Sequence, residues 1–113
     1  MQQQIAAGVW AGLTAGGTSA TFGVQSPGTV FVSSIVTSVA GTSPSLQVFL
    51  DVMDVSGAWI QVAALTAQTG TGTQTATVTP PTVASNLTDN GRLRWTVSGT
   101  GANFGAALAV ISA

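Results

Sequence analysis

Only five side chains in the 113-residue sequence carry a formal charge, and ionic or acid–base chemistry depends on them: Asp51, Asp54, Asp89, Arg92 and Arg94. Paired carboxylates can serve as general acid and base, but Asp51 and Asp54 are three positions apart and fall on opposite faces of a strand. Asp54 precedes Gly57 in a Ser-Gly segment, where its carboxylate is expected to stabilise a tight turn. Arg92 and Arg94 are expected to share one strand face and to pair with Asp89, Asp51 or a partner's acid.

The residue types that are absent exclude most catalytic and metal chemistry. The sequence has no His, Cys, Lys, Glu or Tyr. Without His or Cys there is no Ser–His or Cys–His nucleophile pair, zinc site or redox thiol, and without Lys there is no P-loop or Schiff base. Two arginines neutralise about two phosphates, against the ~6–10 contacts of a typical DNA-binding protein. We therefore expect a non-enzymatic protein with no metal, no cofactor and no nucleic-acid partner.

The scarcity of charge also limits the kinds of surface that the protein has. Charged residues make up 4% of the chain, against a usual ~25%, while 45% of the residues are hydrophobic. Disordered chains have the opposite composition. The longest apolar stretches, at 5–13 and 106–111, are too short for a membrane span of ~20 residues. The surface is therefore expected to be neutral and polar, or covered by neighbouring subunits.

Apolar and polar residues alternate with a period of two through most of the chain, which is typical of strands. Clusters of turn residues separate these stretches, at 41–44, 56–57, 89–91 and 99–103. The dipeptide Asn90-Gly91 is a strong signal for a hairpin turn. About seven or eight short strands in a single domain indicate an all-β fold, an antiparallel β-sandwich resembling a jelly roll.

One segment of the sequence occurs twice in similar form. Residues 39–46 (VAGTSPSL) align with residues 97–104 (VSGTGANF), and the match continues to Leu50 with Leu108 and Val52 with Val110. This similarity predicts two equivalent hairpins, each a strand, a Gly-Thr turn and a second strand.

The first 17 residues lack clear alternation, and their glycines disfavour a helix. We expect an N-terminal arm or an irregular first segment over 1–17, followed by a β-sandwich domain over 18–113. If the segment is an arm that crosses onto a neighbouring subunit, its apolar residues are the candidate contacts, since buried aromatic residues dominate interfaces. These candidates are Ile5, Val9, Trp10 and Leu13.

Six threonines recur at every second position: Thr69, Thr71, Thr73, Thr75, Thr77 and Thr79. In a strand they form one row of hydroxyl and methyl groups, with Gln, Gly, Ala and Val on the other face. An exposed face of an edge strand is the ordinary interpretation. A flat, uncharged hydroxyl array that contacts ice, carbohydrate or another subunit is the functional alternative.

Two longer sequence segments resemble those of a known class of protein. They are residues 38–46 (SVAGTSPSL) running into 51–59 (DVMDVSGAW), and residues 91–100 (GRLRWTVSGT) followed by a final strand that contains Phe104. Together they resemble small all-β virion proteins of tailed bacteriophages, of the capsid-decoration or head-fibre type, over roughly 30–111. The resemblance implies a homo-oligomer, often a trimer, that sits on the capsid surface and reinforces the major capsid protein lattice.

Three functions remain open at this point. The first is a capsid decoration protein of the virion, and the second is a tail, adaptor or fibre structural protein. The third, of a different class, is a carbohydrate- or surface-binding β-sandwich module that uses Trp59, Trp10 and the threonine row. We expect no membrane partner, and the first 50 residues, which carry no charged side chain, are the expected partner surface.

Overall fold

Every regular element in the computed structural model, which describes residues 3–23, 30–78 and 87–112, is a β-strand. The strands are β1 (Gln3–Leu13), β2 (Gly17–Thr18), β3 (Phe22–Gly23), β4 (Val30–Asp54), β5 (Trp59–Ala64), β6 (Gly72–Val78) and β7 (Leu87–Ser112). All their pairings are antiparallel. The predicted all-β sandwich is confirmed. In these ranges no helix is long and apolar enough to cross a membrane.

Two long strands, β4 and β7, form the centre of the fold and pair along nearly their whole length. They contain 25 and 26 residues, so the prediction of uniformly short strands is wrong here. The first half of β4 also pairs with β6, and its second half pairs with β5. Likewise, the end of β7 pairs with β1, and its start pairs with β2 and β3.

These pairings divide the molecule into two layers, which the long strands join at a corner. Layer one contains β6, residues 30–40, residues 103–112 and β1, in that order. Layer two contains β5, residues 45–54, residues 87–98 and the short strands β2 and β3. The apolar inner faces of the two layers form one core. Its buried members are Leu13, Val30, Val32, Val36, Leu46, Val48, Leu50, Val52, Val62, Leu65, Leu93, Trp95, Ala102, Phe104, Ala106, Leu108 and Val110.

Glycines form the corner in both long strands. Gly41 in β4 and Gly99 in β7 each have a φ of 111°, a conformation that L side chains rarely adopt. A Cβ at Gly41 would lie 2.8 Å from the Cα of Ala102, and one at Gly99 would lie 2.7 Å from the carbonyl oxygen of Ser43. The predicted turns at 41–44 and 99–103 are therefore corners inside continuous strands.

The repeated segment of the sequence lies at this corner and pairs with itself. Thr42 faces Thr100, the equivalent residue of the other copy. When each residue is replaced by its equivalent in the other copy, the pair Val39–Phe104 becomes the pair Val97–Leu46, which is also present. The two copies therefore pair with each other about a local two-fold axis. The prediction that they form two separate hairpins is wrong. Leu50 and Leu108, matched in sequence, are both buried in the core.

The N-terminal segment is part of the sheet. Residues 3–13 form β1 and pair with the end of β7, from Gln3–Ser112 to Leu13–Phe104. Residues 3–13 are therefore a regular strand, because hydrogen bonding to β7 organises a stretch whose alanines and glycines hide the alternation. Leu13 is buried, and the Trp10 ring lies 5.1 Å from that of Trp95.

The Asn90-Gly91 dipeptide is not a hairpin turn. Both residues lie within β7, where Asn90 pairs with Gly23, and Gly91 pairs with Phe22 and Val52. Their neighbours on both sides continue the ladder, so pairing with two flanking strands overrides the local turn preference. The turn predicted at 56–57 is present and joins β4 to β5, with Met53 facing Trp59 across it.

Candidate binding faces

All five charged residues lie on layer two. Asp51 and Asp54 are in the second half of β4, and Asp89, Arg92 and Arg94 are in the first half of β7. Layer one carries none, although the two layers are built from halves of the same two strands. The outer faces of the sandwich are therefore chemically different, and each is described in turn.

The outer face of layer two, called the ionic face below, carries one buried carboxylate and two guanidinium groups. Its described residues are Phe49, Asp51, Met53, Trp59, Gln61, Arg92 and Arg94, which face one another across β5, β4 and β7. Asp51 is 2% exposed because both arginines lie over it. The Nε of Arg92 and the Nε of Arg94 donate to the same oxygen, Oδ2, at 3.1 and 2.9 Å. The sequence predicted that the two arginines share a face, and Asp51 is the acid that they bind.

Two aromatic rings hold the guanidinium planes in place. The Cζ of Arg92 lies 4.4 Å from the ring centroid of Trp59, and the Cζ of Arg94 lies 4.1 Å from that of Phe49. Arg94 also donates from Nη2 to Oε1 of Gln61 at 2.9 Å. Stacking and hydrogen bonding together pre-organise both cations, since a stacked guanidinium loses little further freedom on binding.

Asp54 lies at the turn between β4 and β5 and holds that turn closed. Its Oδ1 accepts hydrogen bonds from the Ser56 hydroxyl at 2.6 Å, the Ser56 N–H at 2.9 Å and the Ala58 N–H at 3.0 Å. These bonds, the Ser56 hydroxyl first, lower the pKa of Asp54 below its usual value. Gly57 completes the turn with a φ of 91°. This carboxylate is engaged in structure and has no catalytic partner among the described residues.

The outer face of layer one, called the neutral face below, carries no charged residue. Its described residues are Phe31, Ser33, Ile35, Thr73, Thr75, Thr77, Ala107 and Ala109, opposite one another in the registers of β4, β6 and β7. Ile35 is 43% exposed, one of two large hydrophobic side chains described as exposed. Small, neutral side chains at this density suit close packing of one sheet surface against another.

The threonine row is shorter than the sequence predicted. Thr73, Thr75 and Thr77 lie in β6 and are exposed, as an edge-strand face requires. Thr69 and Thr71 are also exposed, but they precede β6 and are not part of a strand. Gln68, just before them, is buried in the core. Thr79 lies outside the described residues. Three of the six therefore form a strand row, and that row belongs to the neutral face.

Two of the four apolar N-terminal candidates, Trp10 and Leu13, have inward contacts within this chain. Ile5 and Val9 lie on β1, where Val9 pairs with Ala107 at the edge of layer one. Trp10 packs on Trp95, and Leu13 belongs to the core. Within the ranges that the structure covers, no group of three acidic, His or Cys residues is placed to hold a metal ion. The ionic face was missed as a unit because its members come from three strands.

Comparison with known proteins is informative for the fold. No protein-family model matches the sequence, and no curated protein does. A solved structure of Bacillus endospore appendages, described as disulfide-linked pili, is similar with a TM-score of 0.52 and 14% identity, covering 99% of this chain and 85% of that one. This chain contains no cysteine, so it cannot share the disulfide linkage.

Two further solved structures are similar in shape. A carbohydrate-binding module, CBM28, specific for non-crystalline cellulose, has a TM-score of 0.53 and 12% identity, covering 94% of this chain and 70% of that one. The SPBc2 prophage-derived protein YomS has a TM-score of 0.46 and 12% identity, covering 97% and 95% of the two chains. At these identities the likeness to the pilus and the carbohydrate-binding module, whose TM-scores exceed 0.5, is one of fold: this chain is a single-domain antiparallel β-sandwich.

Proposed function

We propose that this chain is a non-enzymatic virion structural protein, a capsid decoration protein of a tailed bacteriophage that lies on the capsid surface. The observation that supports this proposal is the segregation of charge: one whole face of the sandwich is neutral, and every charged residue lies in the other layer. An unpaired charge buried against a neighbouring subunit costs several kcal/mol. The neutral face has no such cost, so it suits permanent contact with the major capsid protein.

The proposal also includes self-association, with a trimer as the favoured form. Copies held together on a lattice bind with avidity, so each contact can be modest. Size-exclusion chromatography with light scattering tests this part. A single species of three chains supports it, and a monomer at every concentration overturns it.

The location of the protein is tested on purified virions of the bacteriophage whose genome encodes it. Cryo-microscopy that shows regular copies on the outside of the capsid supports the decoration role. Density confined to a tail tube, an adaptor or a fibre overturns that role and favours the second virion function.

A matched pair of variants tests the contact face. Thr75→Asp places a charge in the neutral face, whereas Thr96→Asp places the same charge on an exposed strand position of layer two. We expect Thr75→Asp to reduce the number of copies per particle at least about tenfold. This reduction corresponds to a loss of about 1.4 kcal/mol or more of binding free energy per site. Thr96→Asp should bind normally. Normal occupancy of a folded Thr75→Asp protein contradicts the assignment of this face.

The carbohydrate-binding alternative has one observation in its favour: Trp59, Phe49 and Gln61 lie together on an open sheet face, as aromatic and amide groups do in sugar sites. Trp10, the other proposed aromatic contact, packs against Trp95 instead. Screening of a glycan array with the wild type and with Trp59→Ala tests this function. Binding lost in Trp59→Ala supports it, and silence across the array contradicts it.

A further inference from the structure

The ionic face contains both cationic side chains of the entire sequence, Arg92 and Arg94, and they share a single carboxylate. The cluster therefore holds two positive charges against one negative charge. Its excess positive charge is partly exposed, since the side chains of Arg92 and Arg94 retain 24% and 29% of their accessible surface. A negatively charged group on a partner molecule would neutralise the remaining positive charge of the two arginines.

The hydrogen bonds within the cluster leave guanidinium N–H groups available. Arg92 uses Nε on Asp51, and Arg94 uses Nε and Nη2 on Asp51 and Gln61. Among the described residues, the two Nη atoms of Arg92 and the Nη1 of Arg94 have no acceptor. Because Asp51 anchors the Nε atoms beneath the surface and the rings hold the planes, the two-donor fork of Arg92 and the neighbouring Nη1 of Arg94 are fixed in position.

We propose that the Arg92 fork, with the neighbouring Nη1 of Arg94, binds a carboxylate group of an acidic segment on a protein partner other than this chain. A carboxylate matches the planar, two-donor geometry of a guanidinium. A guanidinium already covers one face of the Trp59 ring and one face of the Phe49 ring, which leaves less ring surface for stacking by a sugar, so the face favours an acidic group over a pyranose. This site lies in the layer opposite the neutral face and does not depend on what the neutral face contacts.

A second copy of this chain is a poorer source of the carboxylate. Of its three acids, Asp51 is buried beneath the arginines, and Asp54 accepts three hydrogen bonds within its own turn. Only Asp89 remains. An acidic segment on a different protein therefore fits the charge of this face better than self-association does.

The test is a titration of the full chain followed by the ¹H–¹⁵N signals of Arg92 Nε and Arg94 Nε. The probes are an acetylated, amidated tetraglutamate peptide, its tetraglutamine counterpart and tetragalacturonate. We expect the glutamate peptide to shift both signals in a saturable manner at about millimolar concentration, and the glutamine peptide to leave them unchanged. Raising the salt concentration should weaken the binding, because exposed charges are screened.

The variants Arg92→Gln and Arg92→Lys separate recognition from folding, and the backbone spectrum reports whether each is folded. Arg92→Gln should weaken binding of the glutamate peptide about tenfold, while Arg92→Lys, which keeps the charge and loses the fork, should weaken it less. Thr14→Ala, at an exposed position outside both named faces, serves as the folded control and should bind the peptide as the wild type does.

Several results would overturn the proposal. These are an absence of shifts with the glutamate peptide at about 10 mM, equal binding by folded Arg92→Gln, or tighter binding of tetragalacturonate, which would assign the site to acidic glycans. Self-association without peptide that is lost in Asp89→Asn would assign the site to a second copy and would also overturn it.

Discussion

The hydroxyl of Ser34 donates a 2.7 Å hydrogen bond to Oε1 of Gln68 inside the core, and this bond ties the two layers together. Ser34 belongs to layer one, whereas the backbone of Gln68 exchanges two hydrogen bonds with Leu46 of layer two, at 2.9 and 2.7 Å. The Gln68 side chain also donates to the carbonyl oxygen of Gly72 at 3.0 Å, at the start of β6. A single polar residue thus connects both layers and an edge strand.

Ser34→Ala is expected to lower the free energy of unfolding by about 1–3 kcal/mol, because it removes the donor for a buried Gln68 oxygen. Urea denaturation measures the change. The exposed Ser98→Ala is the control and should stay within about 0.5 kcal/mol of the wild type. In a double-mutant cycle with Gln68→Ala, additive effects of the two substitutions would contradict a direct coupling.

The corner glycines provide a second prediction. Gly41→Ala and Gly99→Ala each introduce a Cβ closer than 3.0 Å to the facing backbone, at a positive φ. We expect each to destabilise the fold by more than about 2 kcal/mol, because strain at such a backbone costs about 1–3 kcal/mol before any clash is counted. Gly70→Ala is the matched control, since nothing lies within 4 Å of its Cβ position. Thermal unfolding of the three variants distinguishes them, and equal melting temperatures would contradict the corner.

Removing the shared carboxylate should be the most damaging change on the ionic face. Asp51→Asn leaves Arg92 and Arg94 without their buried anion, and loss of one partner of a buried ion pair costs about 3–5 kcal/mol. Because both arginines are partly exposed and can rehydrate, we expect about 2–3 kcal/mol in urea denaturation. Arg92→Gln, which leaves the Arg94 pair intact, should cost less. A larger loss for Arg92→Gln than for Asp51→Asn would contradict Asp51 as the anchor.

Asp54 makes the turn between β4 and β5 sensitive to acid. Its pKa is lower in the folded protein than in the unfolded chain, so its contribution to stability is fully present above the unfolded value of about 3.9. The contribution is lost as the pH falls through the folded pKa. We therefore expect the wild type to be more stable than Asp54→Asn at pH 7, with the difference shrinking in acid.

NMR titration of the Asp54 carboxyl provides the direct measurement. Ser56→Ala removes the hydroxyl that contributes most to the shift, so the pKa of Asp54 should rise toward its usual value. An unchanged pKa in Ser56→Ala would show that the backbone donors alone hold the carboxylate.

The N-terminal strand is expected to be required for folding. Leu13→Ala removes a buried side chain from the core and should cost about 2–5 kcal/mol. The neighbouring exposed residue provides the control: Thr14→Ala should have little effect. Retention of full stability by Leu13→Ala in thermal unfolding would return this segment to the role of a dispensable arm.

The sequence was sufficient to predict the all-β class, the turn at 56–57 and the shared face of Arg92 and Arg94, because these depend on local alternation and turn residues. It was insufficient for β1, whose small residues hide the alternation, and for Asn90-Gly91, where flanking strands override the turn preference. The ionic face depends on register between distant strands. That Asp51, and not another acid, lies beneath Arg92 is decided by pairing across the sheet, which a single sequence does not show.

The length of the β4–β7 ladder has a consequence for how the chain reaches this structure. Its innermost pair in sequence is Asp54 with Leu87, and its outermost is Val30 with Ser112. The chain must close a loop of more than thirty residues before the first of these pairs forms, and each later pair joins more distant positions. Folding dominated by such distant pairings takes milliseconds to seconds. The corner at which Thr42 pairs with Thr100 lies midway along the ladder. If pairing of β4 with β7 begins at Asp54 and Leu87, the corner forms only after half of the ladder is in place. Otherwise, the corner must nucleate pairing by itself.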